Sequence, residues 1–183
     1  MADPRIEFVF GAVGDRLRSE LKVFWKQHGQ AYQEELRSFR VGSSHSHALQ
    51  PADPPKKPLL RLPAAISRDQ SGAINGIVLV VLRELDDSLG LGSYAYFQRM
   101  YIVPESRHYG LTNRLFREFL QGFDREAERR DHRAKVLLAE NINPGLQKAP
   151  MRRYFARLGF QMLGGNQLGG EIWVRRLTTH FSF

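Results

Sequence analysis

Six consecutive apolar residues, Ile77-Val-Leu-Val-Val-Leu82, constrain the fold of this chain more than any other stretch. A short run rich in β-branched residues is the pattern of a strand at the centre of a sheet, apolar towards both faces. Such a strand needs cover on both sides, so helices must lie above and below it. Its surroundings agree. The turn Asp69-Gln-Ser-Gly72 joins a strand over Leu59–Ile66 to one over Ala73–Leu85 as an antiparallel hairpin. A further strand, Ser93–Val103, is entered through Gly90 and Gly92.

The rest of the chain supplies the partners. Ile6, Phe8 and Phe10 alternate as in a half-buried first strand. Asp15 caps a helix whose Leu17, Leu21, Phe24 and Trp25 recur at spacings of three and four, and a second short helix is expected over Gln30–Phe39. Val41–Pro58, rich in Ser, His and Pro, reads as a flexible loop. A helix from about Arg107 carries Leu111, Leu115, Phe116, Phe119, Leu120 and Phe123 on one face and Arg114, Arg117, Glu118 and Gln121 on the other. Its tail, Asp124–Arg133, mixes both charge signs as a solvated helix end does. Lys135–Ala139 is a short buried strand, Gln147–Leu158 a helix, and Phe160–Leu163 and Glu171–Leu177 a final strand pair. The expected fold is a single α/β (α+β) domain over residues 1–183, a mixed but mostly antiparallel central sheet of six or seven strands with helices on both faces.

Composition narrows the function classes. The chain contains no cysteine, which excludes thiolate metal sites and cysteine nucleophiles and favours a reducing compartment. Neither a secretory leader nor an apolar stretch of membrane-spanning length is present, so the cytoplasm is the expected location, with no membrane partner. The net charge of +8 would attract anions, coenzyme A and nucleic acid among them. The surplus is diffuse, and solvated surface explains it better than a nucleic-acid site. His45 and His47 make too short a ligand set for a metal, and none is expected.

The chemistry concentrates in Met100–Thr112, where a strand stops at Pro104 and turns into the amphipathic helix. The backbone N–H groups from Arg107 to Thr112 lack helical partners and face the positive end of the helix dipole, which is the geometry of an anion cradle. Gly110 lets a phosphate approach the backbone, the Thr112 hydroxyl adds a donor and Arg107 adds charge.

Arg107-His108-Tyr109-Gly110-Leu111-Thr112 resembles the coenzyme A pyrophosphate loop of the GNAT acetyltransferase superfamily, Arg/Gln-x-x-Gly-x-Gly/Ala, with Thr112 in place of the final small residue. Pro104-Glu-Ser-Arg107 is similar to the lead-in common there. Arg152-Arg-Tyr-Phe-Ala-Arg-Leu-Gly-Phe160 resembles the second signature, a helical aromatic before Leu-Gly-Phe. The resemblance spans Ile6 to Leu177. It implies acetyl-CoA or another acyl-CoA as co-substrate, bound where the Ser93–Val103 strand splays from Lys135–Ala139. Backbone groups of Tyr101, Ile102 and Val103 would hold the pantetheine amides there.

Departures from the pattern are specific. The usual tyrosine that protonates the leaving thiolate is replaced by Phe155, and Tyr154 sits one residue earlier, rotated by about 100° on a helix. Tyr154 is therefore a displaced general-acid candidate. Asn141 and Asn143 both precede Pro144; either could contact the pantetheine arm or shape an Asx turn, with Asn143 favoured as the contact. The Ser93–Val103 strand offers Tyr96 and Gln98 but no carboxylate, so Glu140 after the neighbouring strand is the general-base candidate. The expected reaction is acyl transfer from acetyl-CoA to the primary amine of a small molecule or peptide. The acceptor would be gripped by the first two helices and the Val41–Pro58 loop, where Trp25, Tyr32, Arg37 and Arg40 could line the site. Two alternatives remain: a GNAT-like acyl-CoA-binding module without catalysis, and a basic nucleic-acid-binding protein. Self-association as a homodimer is left open.

Overall fold

The computed structural model describes residues 5–40, 61–86, 89–126, 129–165 and 169–177. The expected Val41–Pro58 loop, and His45 and His47 within it, lie outside the described residues. The elements, in chain order, are β1 (Arg5–Phe8), α1 (Asp15–Arg40), β2 (Leu62–Arg68), β3 (Ile74–Glu84), β4 (Tyr94–Ile102), a 3₁₀ turn (Pro104–Ser106) and α2 (Tyr109–Arg125). There follow β5 (Ala134–Asn141), a second 3₁₀ turn (Pro144–Gln147), α3 (Ala149–Arg157), β6 (Gln161–Gly165) and β7 (Glu171–Arg176). Among them no helix is long and apolar enough to cross a membrane.

The seven strands form one sheet in the order β1-β2-β3-β4-β5-β7-β6. Every neighbouring pair is antiparallel except β4–β5, which is parallel. The apolar run Ile77–Leu82 lies in β3 near the centre, and Ile77, Val78 and Val80 have no solvent exposure at all. α2 and α3 cover one face, where Leu115, Phe119, Phe123 and Phe155 pack with Val78, Val80 and Leu137. α1 covers the other, where Leu21, Phe24 and Tyr32 pack on Ile66, Ile77, Leu79 and Tyr101. Burying each large side chain of this kind contributes roughly 1.5–3 kcal/mol.

The expected break between two N-terminal helices does not occur: α1 runs unbroken for 26 residues. Gly29 weakens a helix by about 1 kcal/mol relative to alanine, but one such residue does not end it. The stripe Leu17, Leu21, Phe24, Tyr32, Leu36 continues through it and packs against one apolar cluster. Arg68 anchors the N-terminal half of α1, donating to Glu20 at 2.6 Å and to Glu7 of β1 at 3.0 Å.

Gly122 is where α2 comes down onto the sheet. A Cβ there would meet the Phe8 ring at 2.3 Å, whereas one at Gly29 would meet nothing within 4 Å. Gly122→Ala should therefore cost about 1–3 kcal/mol through overpacking. Gly29→Ala should stabilise by about 0.5–1 kcal/mol. Urea denaturation of the two variants checks both signs.

Candidate functional site

The parallel pairing of β4 with β5 runs from Tyr94 opposite Ala134 to Gln98 opposite Ala139, and there it stops. Beyond that point β4 stays on β3 as far as Ile102 opposite Gly76. β5 meanwhile follows β7, with Glu140 opposite Ile172 and Asn141 opposite Glu171. The two strands part, and a cleft of about 280 Å³ opens between them. Glu140 thus lies within β5 rather than after it, and an ion pair of 2.8 Å from Arg99 to Glu140 spans the gap.

The backbone of β4 presents alternate residues to its two neighbours. Val103 donates its N–H to the Asn75 carbonyl at 2.9 Å, which turns the backbone groups of Val103 and Tyr101 towards β3. Those of Ile102 and Met100 consequently face the cleft. Of the three strand residues expected to offer backbone bonds to a ligand, only Ile102 is turned that way; Met100 joins it. The Ile102 carbonyl accepts from Arg107 Nε at 2.7 Å, leaving the Ile102 N–H and both Met100 groups along the open edge.

At the end of β4 the chain enters the N-terminus of α2. His108 is the N-cap, its Nδ1 accepting from the Leu111 N–H at 3.2 Å, so the helix begins at Tyr109 rather than near Arg107. The Thr112 N–H and hydroxyl both donate to the His108 carbonyl at 3.1 Å, and the Arg107 N–H to that of Pro104 at 3.2 Å. The cradle therefore contracts from six N–H groups to those of His108, Tyr109 and Gly110. The expected extra donors are committed elsewhere. Arg107 reaches back to Ile102 and to Glu35 of α1 at 2.6 Å, with its guanidinium 5.6 Å from the Tyr101 ring centre. A buried polar chain fixes the turn beneath the cradle: Ser67 donates to Asn75 Oδ1 at 2.7 Å, and Asn75 Nδ2 donates to Ser106 at 3.3 Å.

No family model and no curated protein matches this chain. Solved structures do. The YncA protein of Salmonella typhimurium, solved with its cofactor acetyl-CoA, superposes with a TM-score of 0.52 at 16% identity, covering 100% of this chain and 98% of that one. A GNAT superfamily phosphinothricin acetyltransferase from Sinorhizobium meliloti, solved with acetyl-CoA, gives 0.50 at 15% identity, covering 98% and 91%. The chain has the GNAT fold. At these identities the likeness fixes the architecture, and the activity has to be argued from this chain's own residues.

In this GNAT fold the two signature segments meet across the cleft. Phe155 is buried against Phe116, Phe160 and Trp173 and lines the cleft. Tyr154 also lines the cleft despite its shifted position, because its hydroxyl reaches α2 and donates to Asn113 Oδ1 at 2.8 Å. Burial, with the Tyr109 phenol nearby, pushes its pKa up to about 12. The asparagines divide their tasks. Asn143 caps the Pro144–Gln147 turn, accepting from the Gly145 N–H at 2.8 Å, whereas Asn141 is buried against the cleft with its Nδ2 unpartnered. Both asparagines line the cleft, Asn143 with its carboxamide oxygen occupied and Asn141 with its Nδ2 unpartnered.

Three further buried polar atoms on the same cleft lack partners: Tyr32 Oη, Gln98 Oε1 and Tyr101 Oη. Each such atom costs about 1–3 kcal/mol. Four such atoms gather around this one cavity, which makes it the candidate ligand site among the described residues. Hydrophobic periodicity carries no signal for such atoms; they emerge only once the sheet register is known.

Asn141→Leu should accordingly raise the stability of the unliganded protein by about 1 kcal/mol, because it removes an unpaired buried donor. Chemical denaturation of the variant without added ligand measures this.

Proposed function

We propose that this protein transfers an acyl group, acetyl by default, from an acyl-CoA directly to a primary amine. The observation that carries the reading is the continuity of two features. The open edge of β4, at Met100 and Ile102, runs into the N–H cradle of His108, Tyr109 and Gly110. An extended arm with amides can complete a strand ladder, and a pyrophosphate at its far end fits a helix N-terminus. The residues fit such a co-substrate. Asn141 Nδ2 and Gln98 Oε1 supply an unpaired donor and an unpaired acceptor beside the arm.

The chemistry asked of the protein is modest. The amine nitrogen attacks the thioester carbon, a C–N bond forms, the C–S bond breaks, and the nitrogen loses a proton. The Met100 N–H, on the cleft side of β4, is placed to polarise the thioester carbonyl. Glu35 and Glu140 both line the cleft; Glu35 pairs with Arg107, and Glu140, on β5 where the strands part, would take the amine proton, directly or through water, while Arg99 holds it in place. Tyr154, at about 12, is a weaker acid than a thiol at about 8.5, so it would not surrender its proton, and it could steady the departing thiolate by hydrogen bonding only on releasing Asn113. Positioning and carbonyl polarisation then supply most of the rate.

A non-catalytic acyl-CoA-binding module is the second reading, favoured by the buried Phe155 where many relatives of this fold place their acid. Thiol release in the presence of amines separates the two.

Calorimetry with acetyl-CoA tests the shared premise. Gly110→Asp brings a carboxylate to the cradle, where an added Cβ would lie 3.3 Å from the His108 ring. The parent should bind, and the variant at least tenfold more weakly. No binding by the parent would remove both readings.

A further inference from the structure

A second cavity, of about 520 Å³, lies between α1 and the sheet, on the face of the cleft opposite Tyr154 and Phe155. Leu21, Trp25, Ile77 and Leu79 wall it with apolar surface, and Gln33 and Arg61 bring amide and guanidinium groups to it. Among the described residues no carboxylate lines it. Tyr32 belongs to both cavities, so they adjoin at its ring. Its side chain is 95% buried, its hydroxyl is unpartnered, and its ring lies 5.2 Å from that of Tyr101, whose hydroxyl is also buried without a partner.

We infer that the acceptor is a primary amine carried on an aromatic or bulky aliphatic body, with the body in this slot and the amino group at the Tyr32 and Tyr101 hydroxyls. This rests on the acyl-transfer reading and specifies its substrate class. The slot has the size and apolar lining of a small-molecule site. Burying an apolar body there is favourable in proportion to the apolar area taken out of water. A polycation, by contrast, would lose hydration with no carboxylate among the described lining residues to replace it and with Arg61 repelling it. The two hydroxyls fix the amine where the slot meets the cleft, which also holds Glu140.

Gly29 offers a clean test, because a Cβ there meets nothing and the position faces the slot. Gly29→Leu fills the slot from α1 while improving helix propensity. With acetyl-CoA as donor and thiol release as readout, 2-phenylethylamine should be used at least tenfold more efficiently than spermidine. Gly29→Leu should lower kcat/KM for 2-phenylethylamine at least tenfold and leave acetyl-CoA affinity, measured by calorimetry, within twofold. Tyr32→Phe, which deletes only the hydroxyl, should raise KM for the amine several-fold, and it decides the matter if Gly29→Leu disturbs acetyl-CoA binding. Spermidine equal or superior, unchanged 2-phenylethylamine kinetics in the variants, or no turnover by a parent that binds acetyl-CoA would each overturn the inference. A parent that binds no acetyl-CoA would overturn the acyl-transfer reading itself.

Discussion

Two strands that are hydrogen-bonded along half their length and then diverge leave backbone donors and acceptors inside a folded domain without partners. In this protein the divergence begins after Gln98 and Ala139. It exists because β4 remains on β3 while β5 remains on β7, so neither strand can follow the other without breaking a ladder it already has. The cleft, its unpaired edge and its orphaned side-chain atoms all descend from that competition. Arg99 and Glu140 join the separated strands by an ion pair.

The helix that follows makes the cleft useful to an anion. Proline at 104 ends β4, the Ser67–Asn75–Ser106 chain pins the turn, and His108 caps α2 so that three N–H groups are left facing outward. α2 itself is held by its buried Leu and Phe face, so its N-terminus is a fixed charge distribution rather than one that must be organised on binding. On the far side, Arg175 of β7 grips Asp124 near the end of α2 with two hydrogen bonds of 2.8 and 2.6 Å and also holds the Leu158 carbonyl at 3.0 Å, tying α2 and α3 to the same sheet.

Much of this was legible in the residues. The run Ile77–Leu82 announced the central strand, and the periodicity of Leu111 to Phe123 announced α2, because hydrophobic spacing survives any detail of register. What failed depended on long-range pairing or on a single local exception. The second short helix expected over Gln30–Phe39 is instead the C-terminal half of α1, which tertiary packing keeps continuous. The orientation of the β4 backbone follows from one bond, Val103 to Asn75, between residues 28 positions apart, and no local pattern could assign Met100 and Ile102 rather than Tyr101 to the cleft. Asn141 and Asn143 are equivalent in sequence; only the Asx turn at Gly145 separates them. Tyr154 reaches the cleft through Asn113, 41 positions earlier in the chain, a partner that helical geometry alone does not supply.

If a ligand completes the open edge of β4, backbone amide exchange followed residue by residue will register it. On addition of acetyl-CoA the amides of Met100 and Ile102 should gain protection, while those of Tyr101 and Val103, already directed at β3, should change little. Unchanged exchange at Met100 and Ile102 in the presence of saturating acetyl-CoA would show that no ligand pairs with this edge.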